Sequence, residues 1–256
     1  MRIAAVSHAF FAATLICVGL LGLIKGDFTA IWDPVSKGMP AREGLIYLCA
    51  LISLACGLGL LWQRTATVAA RVLLAYLLIW LLLLRLPAVF LSFEVGSWWS
   101  ACKTAVLLAA AWVLYVWFAT DRDKQRLGFA AGAMGLRAAS VIYGLALIPF
   151  GIAHFLYLDA TAMLVPSWLP APAAWAYLTG AAYIAAGLAV VIGVRARLAV
   201  TMSALQTGMI SLLVWVPRVI AGNVNAFQWG EVVVSVALTA AAWVVADSYR
   251  GVRALA

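Results

Sequence analysis

The chain has 256 residues, of which 67% are hydrophobic and 10% charged, and it carries a net charge of +8. Soluble domains run nearer to about 45–50% and 25%, so a water-soluble domain is excluded and lipid is the solvent. The basic excess gathers at the ends of apolar runs rather than along one face, which fits a membrane protein and argues against a nucleic-acid partner.

A spanning helix needs about 20 apolar residues, and the sequence supplies such runs repeatedly. The first covers 3–24. It is too long for a signal-peptide core and no small-x-small cleavage site follows, so it reads as retained. A polar loop, KGDFTAIWDPVSKGMPARE, leads to a second span at 44–62. The third, 67–90, ends near Pro87, and the loop FEVGSW precedes the fourth, 98–119. DRDKQR (121–126) is the one strongly hydrophilic stretch and marks the boundary between halves, with a small-residue segment, GFAAGAMG, after it. The second half runs 139–158, 172–194, 198–220 and 228–247.

The two halves repeat. Gly22, Pro40, Gly57 and Pro87 answer to Gly151, Pro170, Gly187 and Pro217 at offsets of 129, 130, 130 and 130. Near-constant spacing of backbone-special residues is what a tandem duplication leaves behind. The expected fold is therefore an all-α integral membrane protein with eight transmembrane helices. They form two tandem four-helix bundles, 1–120 and 139–256, joined by a cytoplasmic linker at 121–138. An even number of spans per half makes the repeat parallel, with its pseudo-two-fold along the membrane normal.

Orientation follows from Lys and Arg. One side collects Arg2, Arg64, Arg71, Arg122, Lys124, Arg126, Arg137, Arg195, Arg197, Arg250 and Arg253; the opposite loops hold Lys25, Lys37 and Arg42. This bias puts both termini in the cytoplasm of a plasma (inner) membrane protein. Trp32, Trp98, Trp99, Trp168, Trp175 and Trp229 cluster towards the outer side, as an interfacial belt does. Gly180 and Gly187, matched by Ala50 and Gly57, form small-residue stripes suited to close helix approach. Pro149, Pro87 and Pro217 are expected to kink or stop their helices.

The candidate site rests on polar groups left at membrane depth: His154, Gln206, Arg218 and Glu231 in the second half, Arg85 and Lys103 in the first, and Lys25 near the boundary. A charge in a spanning helix costs roughly 2.5–3.5 kcal/mol on insertion scales, so such groups face the bundle interior and pair. His154 and Arg218 end their helices on the outer side and Glu231 begins its helix there, so the three are placed around one outward-facing cavity. Cys17, Cys49, Cys56 and Cys102 read as small buried apolar residues, and Cys49 and Cys56, seven apart on one helix, cannot form a disulfide. With only His8 and His154 present and no ligand spacing, no metal site is expected. Phosphate-loop, GxGxxG and GxSxG motifs are missing, so no catalytic residue is assigned.

At GIAHFLY, followed by VPSWLP, TGAAYIAAGLAVVIGVRAR and FQWGEVVVSVALTAAAW, the second half resembles the DoxX-like family. These four-helix membrane proteins are related to the small subunit (DoxD) of a thiosulfate:quinone oxidoreductase. The family's glycine followed three residues on by a basic residue falls on Gly151 and His154, and in the first half on Gly22 and Lys25. Its acidic residue at the start of the fourth helix falls on Glu231, where the first half has Ala101, with Lys103 two residues on. The resemblance implies a subunit or accessory of a membrane redox system, with a quinone or a lipid held by His154, Arg218, Glu231 and Gln206. It also implies a membrane or periplasmic redox partner. A small-solute transporter, suggested by the duplication, and an assembly protein without a ligand are the alternatives.

Overall fold

The computed structural model describes residues 5–92, 94–222 and 224–250, and every regular element among them is helical. Eight helices are long and apolar enough to cross a membrane: α1 (Val6–Lys25), α2 (Arg42–Leu61), α3 (Ala66–Ser92), α4 (Val95–Phe118), α5 (Ala133–Leu156), α6 (Pro172–Ile192), α7 (Ala196–Ile220) and α8 (Ala226–Asp247). Arg2, Arg253 and positions 3–4 of the first expected span lie outside the described residues.

The largest departure from expectation is α5, which starts at Ala133 rather than 139, because the small-residue segment before it is helical as well. Thr120 and Asp123 close a capping box that starts a short helix, Asp121–Arg126, and Gly128–Ala131 adds another turn. Trp112 Nε1 then donates to the Ala130 carbonyl at 2.9 Å, tying that turn to α4. Glycine and alanine carry little hydropathy, so tertiary contact decides what the composition could not.

Pro87 and Pro217 do not end their helices. Each follows a π-helical turn, Leu81–Arg85 in α3 and Ser211–Trp215 in α7, after which the helix continues. Proline has no N–H for the carbonyl four residues back, and the one-residue excess of a π turn re-routes the ladder at that point.

The small-residue stripes work as expected. A Cβ at Gly57 would stand 2.8 Å from the Ala12 carbonyl of α1, and one at Gly187 would stand 2.6 Å from the Gly144 carbonyl of α5. Backbones therefore meet directly at the α1–α2 and α5–α6 crossings, which lets dispersion contacts hold helices that lipid does not push together.

The order of neighbours is simple. α4 and α8 lie side by side; α1, α2 and α3 form an arc that runs from α8 round to α4, and α5, α6 and α7 form an arc from α4 back to α8. In α4, 72% of the most apolar stretch is buried, against 28% in α6 and α7, so α4 is central. The α4–α8 pair is thus a partition between two cells, each walled by one arc. One end of the bundle gathers the start of α1, the end of α2 and the ends of α4 and α8: His8 Nε2 bonds the Leu60 carbonyl at 2.9 Å and Ser7 donates to Asp247 at 2.5 Å. It holds the basic residues and is called the basic end. The loops 26–41 and 157–171 cover the other.

Candidate functional site

The cell walled by α5, α6 and α7 contains a cavity of about 190 Å³. Its lining comes from both halves: Trp99 of α4, Phe150 and His154 of α5, Tyr183 of α6, Thr207 and Trp215 of α7, and Glu231 and Ser235 of α8. The wall is mostly aromatic and aliphatic with a few polar groups, the usual make-up of a small-molecule pocket.

His154 Nδ1 lies 2.7 Å from the Phe150 carbonyl, one helical turn back. A carbonyl only accepts, so Nδ1 carries the proton and the neutral ring offers Nε2 as an acceptor. The ring leans on Tyr183 with centroids 5.5 Å apart, and Tyr183 in turn shares a 3.0 Å hydrogen bond with Thr207. Gly180 makes room for this: a Cβ there would meet the His154 Cβ at 2.8 Å. Glu231 is half-buried, and among the described residues its carboxyl has neither a hydrogen bond nor a cation within 4.0 Å.

Arg218 and Gln206 stand outside the cavity wall. Arg218 lies over the ring of Trp215 at 5.7 Å and donates to the carbonyls of Val214 and Met163 at 3.1 and 3.2 Å, pinning the loop 157–171 to α7. Gln206 donates to the Thr179 carbonyl at 2.9 Å, a tie between α7 and α6. Sequence reading passed over Tyr183, Thr207 and Ser235 and placed Trp99 in the interfacial belt rather than in the cavity wall. Hydroxyls four apart on facing helices were the available signal: Thr207 and Ser211 lie on α7 and Ser235 and Thr239 on α8, with Ser211 Oγ 2.6 Å from Ser235 Oγ and 2.9 Å from Thr239 Oγ1.

The cell walled by α1, α2 and α3 is filled. The loop 26–41 folds into it and buries Phe28, Ile31 and Trp32 to within 3% exposure. Trp32 meets Tyr76 and Trp80 edge-on at 5.2 and 5.3 Å. Arg85, 3% exposed, donates to the carbonyls of Pro34 (2.6 Å), Asp33 (3.1 Å) and Trp32, while Lys103 donates to that of Ala30 at 3.3 Å. The two membrane-depth cations of the first half are therefore matched by backbone oxygens, which offsets their desolvation. In this loop, burial and the charge of Asp27 raise the Asp33 carboxyl above the usual carboxylate range, against the pull of Lys103, Arg85 and Arg42.

Comparison with protein-family models, curated proteins and solved structures found no match for this chain. Among the described residues no group of three or more His, Cys, Asp or Glu side chains is placed to hold a metal ion, and all four cysteines are free thiols. What the arrangement offers chemically is a ring-sized, largely apolar chamber lined by one imidazole and one carboxyl group.

Proposed function

We propose that the chain is a multi-pass inner-membrane protein of the DoxX-like type, acting as a subunit or accessory of a membrane redox system. In this reading its partner is a membrane or periplasmic redox protein, and the cavity takes a quinone ring from the outer leaflet. The observation that carries the reading is that His154 and Glu231 line one aromatic-walled chamber and that, among the described residues, the Glu231 carboxyl has no hydrogen bond or ion pair. An unpaired ionisable group at membrane depth marks a functional site by default, because it costs stability without a structural return.

The chamber's size narrows the ligand. Its 190 Å³ exceeds the roughly 150 Å³ of a cavity that accepts benzene, which favours one substituted ring over a fused pair. A quinone supplies reversible electron and proton uptake. The protein supplies donors for its oxygens: Glu231 donates when protonated and His154 when its ring is cationic, and in their other forms both accept from quinol hydroxyls. Trp99 and Trp215 add aromatic surface to the chamber wall.

The same reading takes the halves as a tandem repeat of four-helix units related by a pseudo-two-fold along the membrane normal, with both termini in the cytoplasm. Three pairs of features support the repeat. The π turns at 81–85 and 211–215 are 130 residues apart. So are the left-handed Ala41 (φ 55°) and Ala171 (φ 54°), each just ahead of a spanning helix. The third pair is the packing, since α1 meets α2 much as α5 meets α6.

The test is tryptophan quenching of the protein in lipid nanodiscs by a short-chain benzoquinone. Binding of the matching benzoquinol, measured by competition, is expected to weaken about tenfold or more in Glu231→Gln and in His154→Ala, because its hydroxyls donate to the Glu231 carboxylate and to His154 Nε2. Unchanged binding in both variants would sink the quinone reading, and equal binding of a naphthoquinone would sink the one-ring assignment.

A further inference from the structure

At the basic end, opposite the chamber, two concavities share Arg197 and Thr201. One, of about 940 Å³, opens between the start of α5, the α6–α7 turn and the end of α8, and is edged by Arg137, Arg195, Arg197 and Tyr249. The other, of about 450 Å³, runs up the crevice between α7 and α8 past Leu205, Gly208, Met209, Leu212 and Trp243. The first is cationic; the second is apolar along that run, and is also lined by Arg197 and the Asp247–Arg250 pair.

Among the described residues, none of the three arginines of the first concavity forms an ion pair, and Asp247, which lines the crevice with Arg197, is paired with Arg250. All nine acidic residues lie among the described ones, and the ion pairs formed are Arg42–Asp27, Arg71–Asp123 and Arg250–Asp247. None reaches Arg137, Arg195 or Arg197. Arg137 is engaged elsewhere, donating to the carbonyls of Val190 and Val191 at the end of α6 at 2.9 and 2.6 Å. Arg195 and Arg197 remain exposed, and Arg195 sits at φ 46°, a left-handed conformation that non-glycine residues seldom adopt. A guanidinium kept at a corner better suited to glycine points to a use for the charge.

The crevice has the dimensions of one leaflet. Positions 197 to 212 of α7 span about 22 Å at 1.5 Å per residue, enough to cover the roughly 15 Å depth of half a hydrocarbon core. Gly208 deepens it. A Cβ there would stand 3.4 Å from Thr239 Cγ2, an ordinary contact, so helix packing does not itself demand glycine.

We propose that this end binds one anionic phospholipid, its phosphate held by Arg195 and Arg197 and an acyl chain laid in the α7–α8 crevice beside Gly208. Charge selects the headgroup, and the crevice distinguishes a lipid from free phosphate. The arginines act as a pair of attractions near the membrane surface rather than as one rigid clamp.

The experiment is native mass spectrometry of the whole protein released from nanodiscs of equal phosphatidylglycerol and phosphatidylcholine. Enrichment of phosphatidylglycerol on the protein above its bulk share is expected. Arg195→Ala with Arg197→Ala should weaken that retention about fivefold per charge and so about 25-fold together. Gly208→Leu, which fills the crevice and keeps both arginines, should also release the lipid while leaving titration by inorganic phosphate unchanged. Retention at the bulk ratio, or enrichment unaffected by the double variant, overturns the proposal. Phosphate binding with lipid retention insensitive to Gly208→Leu overturns the acyl-chain assignment and leaves a phosphate site. A matching thermal melt for each variant shows that the fold is kept.

Discussion

The two cells on either side of the α4–α8 partition have the same kind of walls and opposite contents. In the first, the loop 26–41 enters as a plug, with Trp32 wedged between Tyr76 and Trp80 and its carbonyls held by Arg85 and Lys103. In the second, the loop 157–171 stays at the rim, pinned through Met163 to Arg218, and a chamber is left beneath it. Buried cations go with the filled cell, where backbone oxygens match them. The unmatched carboxyl goes with the hollow one. Under the tandem repeat proposed above, the two copies would divide their roles, one set for stability and the other open for the proposed ligand.

The sharpest way to break the comparison is to empty the filled cell. Trp32 is 2% exposed and packed on all sides, so Trp32→Ala should cost about 3–5 kcal/mol. Trp215 already borders a void, so Trp215→Ala should cost less by at least about 1 kcal/mol while altering ligand affinity. Equilibrium unfolding in mixed detergent micelles measures both. Equal costs would mean that the second cell is as tightly filled as the first.

A smaller effect is expected at the plug's anchor. Lys103→Met keeps the apolar stem and removes the bond to the Ala30 carbonyl, at a cost of about 1–2 kcal/mol. Amide exchange should rise about tenfold across 26–41 and stay unchanged across 157–171. Exchange that rises in both loops would show the plug to be coupled to the rim loop through the partition, where Gly230 of α8 lies close to Ala30.

Much of this was legible in the chain. The eight spans follow from apolar runs with basic residues at their ends, and the glycine stripes at Gly57, Gly180 and Gly187 do in the structure what their spacing suggests. What hydropathy could not show was how α3 and α7 pass their prolines, because a π turn has no composition of its own. Depth was also easier to read than azimuth. Arg218 and Gln206 have the depth of the chamber but not its direction; Thr207, one residue and about 100° further round the helix, lines it. The plug was hidden for a different reason. Nothing in KGDFTAIWDPVSKGMPARE marks Trp32 as a core residue rather than a belt residue until Arg85 and Lys103 are seen reaching for the carbonyls on either side of it.

The halves differ once more at the basic end, and here the expected effect is smallest. Arg71 of α3 pairs with Asp123 at 2.6 Å, whereas among the described residues Arg195 and Arg197 form no ion pair. Against the desolvation of its position, hydrogen bonds from Arg71 and from Thr120 hold the Asp123 carboxyl down to about 2, below the 3.8 of a free side chain. A depressed carboxyl contributes stability that is complete above its unfolded value and is lost as pH falls through the folded one. The loss should therefore develop below about pH 5 and be complete near pH 1–2. Its size should stay under about 1 kcal/mol, because Arg71 is 42% exposed and water screens the pair. Arg71→Ala should flatten this acid limb in detergent unfolding followed against pH, and Arg197→Ala should leave it unchanged. A limb that survives Arg71→Ala would assign it to the Thr120 cap alone and remove this last difference between the halves.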